Sequence, residues 1–475
     1  MMKRRALKIL SLSLVLFLVF ASVSFAAGDG TVTRVSCSVY GDGATGRGFC
    51  WFTSGKAGTD LQLLPTAGFT GDWTNAKAYS GDATYYRSRW SHQAAATDLQ
   101  PGTAYTYRVG DAKTGVWSDP CSFVTDDRDK SFSFIAIADV QASDREDFAH
   151  AAETMAGAVK TLPDAEFVVN LGDYVNDNTN DEWDCYFEAF KPYNDAFTGV
   201  PVAGNHDGNI TNKLNTFCLD ETDNRSIEGV YYSFDYGNAH FAVLNTNDMY
   251  PMSQAQKNWL RNDMRASDAT WKILLMHRSL YSAGKNINKP DTIVLRETLL
   301  PVIDELGIDV VLSGHDHMYL RTDFLKSDAR VGNVSYITEN FKGEETTFAV
   351  DPEGTVYAIP STAGTKRYAV NEDAIDPIHQ VSEVEFSTRD EGGMFATVEI
   401  EGGRLVYKAY VVDDETEEIA LKDIFAVAKS SADGAQPSHR DQSFFSTFYA
   451  GPVNFIVAFF KMLVSYLKLL RQVTG

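Results

Sequence analysis

The chain has 475 residues, 22% of them charged, and a formal net charge of −22. At about 150 residues per domain it is too long for one ordinary core, so two or three folded units are expected. A surface this acidic repels phosphate backbones, which speaks against general nucleic-acid binding.

The N-terminus reads as an address. Lys3, Arg4 and Arg5 precede an almost wholly apolar run over 9–23, and Ser24 and Ala26 place small side chains where a signal peptidase cleaves. A signal peptide over 1–26 and export to an extracellular, periplasmic or cell-surface location are expected, because the apolar run is short of the ~20 residues that span a bilayer. The five cysteines, Cys37, Cys50, Cys121, Cys185 and Cys218, show no CxxC spacing. Export permits disulfides, and Cys185 with Cys218, and Cys37 with Cys50 or Cys121, are the expected pairs.

Short β-rich runs over 27–126, with Tyr105 and Tyr107 alternating with threonine before Gly110, predict a small antiparallel sandwich. A polar stretch over 126–130 follows. From 131 to 427 apolar strands alternate with amphipathic helices, the mark of an α/β architecture. Strands are expected at 132–138, 167–171, 200–203, 273–276 and 310–312, and helices at 146–160, 253–265 and 291–306. Ser253 with Gln256 fits a capping box. The runs 231–234 and 240–244 flank a turn at Gly237-Asn238 and read as a hairpin, and two further strands at 396–400 and 405–412 close the domain. Residues 428–443 are polar and small, a linker. In 444–475 the residues Asn454, Lys461, Ser465, Lys468 and Gln472 form one polar stripe on an otherwise apolar helix. Lys461 at its middle opposes spanning, at ~3 kcal/mol, so the tail is expected either to lie in a membrane surface or to pack on protein.

Polar clusters recur directly after the apolar runs: Asp139 and Gln141, Gly172-Asp173, Gly204-Asn205-His206-Asp207, His277, and Gly314-His315-Asp316-His317. Open α/β sheets place their ligands at such strand ends. Carboxylates, an amide and imidazoles converging there suit two divalent cations, which lower the pKa of a shared water and clamp an in-line displacement at phosphorus. One Gly-Asp or one histidine is usually a turn or a satisfied core group; five clusters in this order are not.

The order Asp, GD, GNH[DE], H, GHxH resembles that of the calcineurin-like metallophosphoesterases. The run GHDHMYLR from Gly314 and YYSFDYGN from Tyr231 are most similar to purple acid phosphatases, and the run from Leu99 to Gly110 resembles late strands of the fibronectin type III-like module that precedes their catalytic domain. The resemblance implies a four-layer α-β-β-α metallophosphoesterase sandwich preceded by an all-β fibronectin type III-like sandwich. It implies a phosphoesterase working through a hydroxide bound to a dinuclear centre of Mn, Zn or Fe, on a phosphorylated small molecule. Phosphomonoesters are favoured over phosphodiesters and nucleotides, and a cell-surface binding module with a degenerate enzyme domain is the reading from another class.

By motif, the first metal would take Asp139, Asp173 and His317, and the second Asp173, Asn205, His277 and His315. His206 would bind the phosphoryl oxygen or protonate the leaving alkoxide, with Asp207 orienting its ring, and Arg278 and Arg321, which flank ligands, would be either phosphate clamps or structural salt bridges, the salt bridge favoured for each. Two positions depart from the family pattern. The tyrosine whose phenolate gives purple enzymes their colour is replaced by Asn176, so no purple chromophore and no need for Fe(III) are expected. Gln141 stands where many relatives have a histidine, and is either a weak ligand of the first metal or a partner of its water shell.

Overall fold

The computed structural model describes residues 31–208, 215–220, 231–247, 252–371, 381–389 and 391–430. The expected signal peptide over 1–26, the linker from 431 onward and the tail 444–475 lie outside the described residues.

Two sheets pack face to face. In the first, Ser131–Ile137, Phe167–Asn170 and Thr198–Pro201 run parallel, and Ser131–Ile137 also pairs antiparallel with Gly392–Glu401. The second carries the hairpin Tyr232–Tyr236 and Ala239–Val243, then Trp271–Arg278, Val310–Gly314 and Val356–Pro360 in parallel. These strands are short, apolar runs buried on both faces, as parallel strands must be when helices cover them. Between the sheets, Phe134 and Phe167 meet Phe234 and Phe241, with the Phe167 and Phe241 ring centroids 5.7 Å apart at 89°.

Helices cover the outer faces, which completes the expected α-β-β-α layering. Arg145–Thr161 buries Phe148, Ala151, Met155 and Ala158, one stripe at helical spacing, against the first sheet, and its N-terminus is capped by Asp144. Pro290–Leu306 and Gln254–Ala266 pack Leu295, Leu299, Ile303, Leu260 and Met264 onto the second sheet. Ser253 caps Gln254–Ala266 by accepting from Gln256 N at 3.1 Å, but only half of the expected box forms. The Gln256 amide turns instead to the backbone of Asn245, with 2.8 Å from Asn245 N to its Oε1 and 3.1 Å from its Nε2 to Asn245 O.

The N-terminal β-rich segment is joined to this core more intimately than a polar stretch between two domains suggests. Its strands Thr33–Val39, Arg47–Thr53, Arg89–Ala96 and Asp82–Tyr86 continue the first sheet, which reaches twelve strands, and the junction is a parallel bridge from Ser38 to Gly199. The rest of the segment, led by Asp60–Pro65 and Ala104–Asp111, closes over these strands as an antiparallel second layer around Phe49, Trp51, Leu61, Tyr107 and Phe123. The expected disulfides do not form: none of the five cysteines is disulfide-bonded. Cys37 lies on the strand beside that of Cys50, but Phe49 is the residue opposite it, so their side chains face different sides of the sheet. Cys37 accordingly packs inside the sandwich, while Cys50 joins Cys218 in a separate small cluster.

Candidate metal centre

The parallel strands of both sheets end at the same edge of the sandwich, and each of their polar clusters lies in the loop just beyond. Asp139 follows Ser131–Ile137, Asp173 follows Phe167–Asn170, Asn205 follows Thr198–Pro201, His277 ends its strand and His315 follows Val310–Gly314. The turns are tight. Asp139, Gln141, Asp173 and His315 all adopt positive φ, between 35° and 73°, at a cost of order 1–3 kcal/mol each that the surrounding bonds must offset. Gly172, at φ 99°, has no alternative: a Cβ there would stand 2.7 Å from His277 Nδ1. At Gly314 a Cβ would meet Asp139 Oδ2 at 2.7 Å. The glycines of these motifs are therefore clearances for the neighbouring ligand.

Two groups result, each with ligand atoms within 4.8 Å of one another: Asp139, Asp173 and His317, and Asp173, His277 and His315. Asp173 belongs to both. His317 Nε2 lies 3.4 Å from Asp139 Oδ1, and His277 Nε2 lies 3.2 Å from Asp173 Oδ2, 3.2 Å from Asn205 Oδ1 and 3.3 Å from His315 Nδ1. Backbone acceptors fix the rings: His277 Nδ1–H donates to Leu171 O at 2.9 Å and His317 Nδ1–H to Lys366 O, which leaves each Nε2 lone pair facing the carboxylates. Asp139 in turn accepts from His315 N through both oxygens at 3.0 and 2.9 Å, and Asp173 Oδ1 accepts from His206 N at 2.7 Å.

The donor set fits cations. Asp139, Asp173, His277 and His317 are all buried, and the interior asks for positive charge. Burial alone would push His277 down, but Asp173 and Asp139 carry it up to about 9. His315 next to it is held well below the ordinary histidine value by burial and by His277. Burial opposes the charged form of Asp173, yet His277 and the hydrogen bond from it hold that carboxyl well below its usual range. Among the described residues, Gln141, 5% exposed, finds no partner for either amide atom, and neither does His315 Nε2. Imidazole nitrogen with carboxylate and amide oxygen suits Mn, Zn and Fe(II) alike.

His206 stands beside the cluster: its backbone N donates to Asp173 and its Nδ1–H to Asn176 O at 2.6 Å. This corrects the expected role of Asp207, which does not orient the ring. Its buried carboxylate accepts from Asp173 N, Tyr174 N and Gly204 N at 3.1, 2.7 and 2.8 Å and so clamps the ligand loops together. Of the two roles expected of Arg321, the salt bridge is the one that forms and the clamp is not: it makes a two-pronged pair with Asp423 at 2.6 and 3.1 Å, and Asp423 also accepts from the Tyr319 hydroxyl. Arg278 does face the cluster from the end of its strand, held by Asp291 at 2.7 Å. Tyr174 points into an aromatic group with Trp183, Tyr186 and Phe217, and the Asn176 amide bonds Asp177.

Some contributors have no counterpart in the motifs. Thr362 Oγ1–H donates to Asp139 O at 2.6 Å, the Lys366 carbonyl holds His317, and the Tyr368 ring stacks on His317 at 4.4 Å. All three follow Val356–Pro360, a further apolar run whose end bears the same polar signature, so strand-end logic could have found them.

A double sheet with carboxylates and imidazoles at its shared strand ends has the layout of a metallophosphoesterase. Residues 132–319 match the family model for calcineurin-like phosphoesterases, and residues 32–125 that for the purple acid phosphatase N-terminal domain. Purple acid phosphatase 15 of Arabidopsis thaliana is 24% identical over 328 residues, 62% of this chain and 57% of the relative. The chain thus spans little more than half the length of that curated relative. A purple acid phosphatase from yellow lupin (Lupinus luteus) seeds superposes with a TM-score of 0.69 at 16% identity, over 85% of this chain and 75% of the other. PhoD shares the fold at a TM-score of 0.57 and 14% identity, over 90% and 98%. The chain thus carries a calcineurin-like phosphoesterase domain preceded by a purple acid phosphatase N-terminal domain.

Proposed function

We propose that the chain hydrolyses phosphate esters, phosphomonoesters before diesters, at a dinuclear centre of divalent ions. The observation that carries this is the placing of Asp173 in both ligand groups, where one carboxylate can bridge two cations. Asp139 and His317 would complete one site, and Asn205, His277 and His315 the other. Bound there, two divalent ions supply an activated water and neutralise charge growing on the phosphoryl oxygens.

The chain's own residues do the rest. The Asn176 carbonyl keeps the His206 ring turned toward the ligands, from where it can hold a phosphoryl oxygen or give a proton to the departing alkoxide. Arg278, steadied by Asp291, offers guanidinium donors to the anion on the other flank. With Tyr174 packed away and Asn176 turned to Asp177, no phenolate of the GD loop reaches the first site, which supports a colourless, divalent centre. Export with cleavage after Ala26, and peripheral membrane contact through 444–475, belong to the same proposal and rest on the leader pattern and the polar stripe.

The test is p-nitrophenyl phosphate and its bis-ester as substrates for the purified mature protein, before and after chelation. Activity should vanish on chelation, return with Mn, Zn or Fe(II), and fall at least about a hundredfold in Asp173→Asn. Activity that survives complete chelation overturns the mechanism. N-terminal sequencing of the mature chain and fractionation of a protein lacking 444–475 check export and membrane contact.

A further inference from the structure

Beside the ligand cluster, a lysine is seated on an aromatic ring. The Lys285 side chain is exposed, and its ammonium lies over the Tyr368 ring at 3.8 Å from the centroid. Among the described residues no carboxylate pairs with it, in a chain where acids outnumber bases. Tyr368 itself stacks on His317 at 4.4 Å and 17°. The lysine is therefore coupled to a metal-ligand candidate through one aromatic ring.

The placement is built. The loop that carries Lys285 leaves the strand of His277 and is tied to the His315–His317 loop by Ser279 Oγ to Asp316 Oδ2 at 3.2 Å, by Asn286 N to Asp316 Oδ1 at 3.4 Å and by Asn286 Nδ2 to His315 O at 3.5 Å. The loop that carries Tyr368 is tied to both neighbours, through Tyr368 N to His317 O at 2.8 Å and Asn371 N to Ala283 O at 2.7 Å. Two loops thus hold an ammonium over a ring at the mouth of the centre. Contact with the ring face steadies the cation without neutralising it, by roughly 0.5–1 kcal/mol at an exposed site. Its charge stays available to an incoming anion, and the two short stacking distances keep it within reach of a small molecule whose phosphate sits at the ligands.

We propose that Lys285, carried on Tyr368, forms a second anion subsite that selects phosphate esters bearing another phosphate on the leaving group. The inference rests on the phosphoesterase reading and deepens it. The scissile phosphate lies at the ligand cluster, and the second phosphate pairs with the Lys285 ammonium.

The experiment compares fructose 1,6-bisphosphate with fructose 6-phosphate, on metal-loaded full-length mature protein. Lys285→Gln should lower the ratio of the two kcat/KM values about tenfold, through KM of the bisphosphate. Lys285→Arg and Tyr368→Phe should restore most of that ratio, and added salt should erode it in wild type but not in Lys285→Gln. Lys326→Ala, a change at a distant surface lysine paired with Glu353, should leave the ratio where it was. A ratio that Lys285→Gln does not move, or a loss shared equally by both sugars, overturns the subsite and leaves the phosphoesterase reading intact. If wild type turns over neither these sugars nor p-nitrophenyl phosphate, that reading fails instead. Calorimetric binding of the two fructose phosphates to wild type and Lys285→Gln then decides the subsite, which stands only if the bisphosphate loses about tenfold more affinity.

Discussion

Asp207 holds the backbone of the ligand loops: the N–H groups of Asp173, Tyr174 and Gly204 converge on its buried carboxylate. Removing it strands those donors away from water, at about 1–3 kcal/mol apiece before relaxation. Asp207→Ala should therefore lower unfolding free energy by about 3 kcal/mol and release metal, read by chemical denaturation and by metal content per chain. His206→Asn should do the opposite: kcat falls by roughly two to three orders of magnitude while metal content holds. Equal metal loss in both variants would place His206 among the ligands. At this scale the sequence shows residue types better than partners. Asp139, Asp173, His277, His315 and His317 were legible because each polar cluster directly follows an apolar run. For Arg321 a structural salt bridge was legible as the favoured role but its partner was not, since Asp423 is 102 residues away on a strand with no distinctive pattern. The Asn176 carbonyl that orients His206 was beyond reach of any side-chain motif, because every residue has a carbonyl.

Elements with strong periodicity were readable. The helices Arg145–Thr161, Gln254–Ala266 and Pro290–Leu306 match their expected spans within two residues, and the hairpin turns at Gly237-Asn238. Asn180–Ala189 was missed, because its acids and aromatics blur the apolar stripe. Its signal lies at the start, where Thr179 and Glu182 form a complete capping box. The continuation of the first sheet into the N-terminal segment was illegible for a physical reason: a parallel bridge between Ser38 and Gly199 leaves no local pattern in either run. Arg47 fastens that joint. Wholly buried, it donates to Thr198 Oγ1 at 3.0 Å, to Gly43 O and Gly46 O at 2.6 Å and to Val124 O at 2.8 Å, and among the described residues it has no carboxylate partner. Arg47→Met keeps much of the stem but orphans those acceptors, so a stability loss of about 3 kcal/mol is expected. The loss should appear as one cooperative transition at lower denaturant, since the N-terminal segment and the core share a sheet. A separate early transition of the N-terminal segment would show that the shared sheet does not couple them.

Over the whole molecule, stability should tilt toward acid, away from the alkaline side. His240 is fully buried between Asp235 at 2.6 Å and Asp263 at 2.7 Å, and Asp263 also accepts from Ser233 Oγ at 2.8 Å. Burial pulls this imidazole down, but the two carboxylates from the hairpin and the helix outweigh it and carry the pKa up to about 9. A folded pKa above the ordinary 6.5 means that the folded state holds a proton the unfolded chain releases first. The stabilisation is whole below about pH 6.5 and is lost as pH rises through about 9, a change of about 3 kcal/mol. Asp126 adds to the tilt at lower pH. Burial raises its carboxyl to about 6, above the unfolded value near 4, so ionising it between these values weakens the fold that Gly237 N and Arg128 N help it to hold. Thermal unfolding of the metal-loaded protein should show Tm falling from pH 6.5 to 9.5. His240→Asn, which fits the space but cannot carry the charge, should flatten that alkaline limb while lowering Tm at pH 6. An alkaline limb of unchanged slope in His240→Asn would mean that the Asp235–His240–Asp263 bridge is not what titrates.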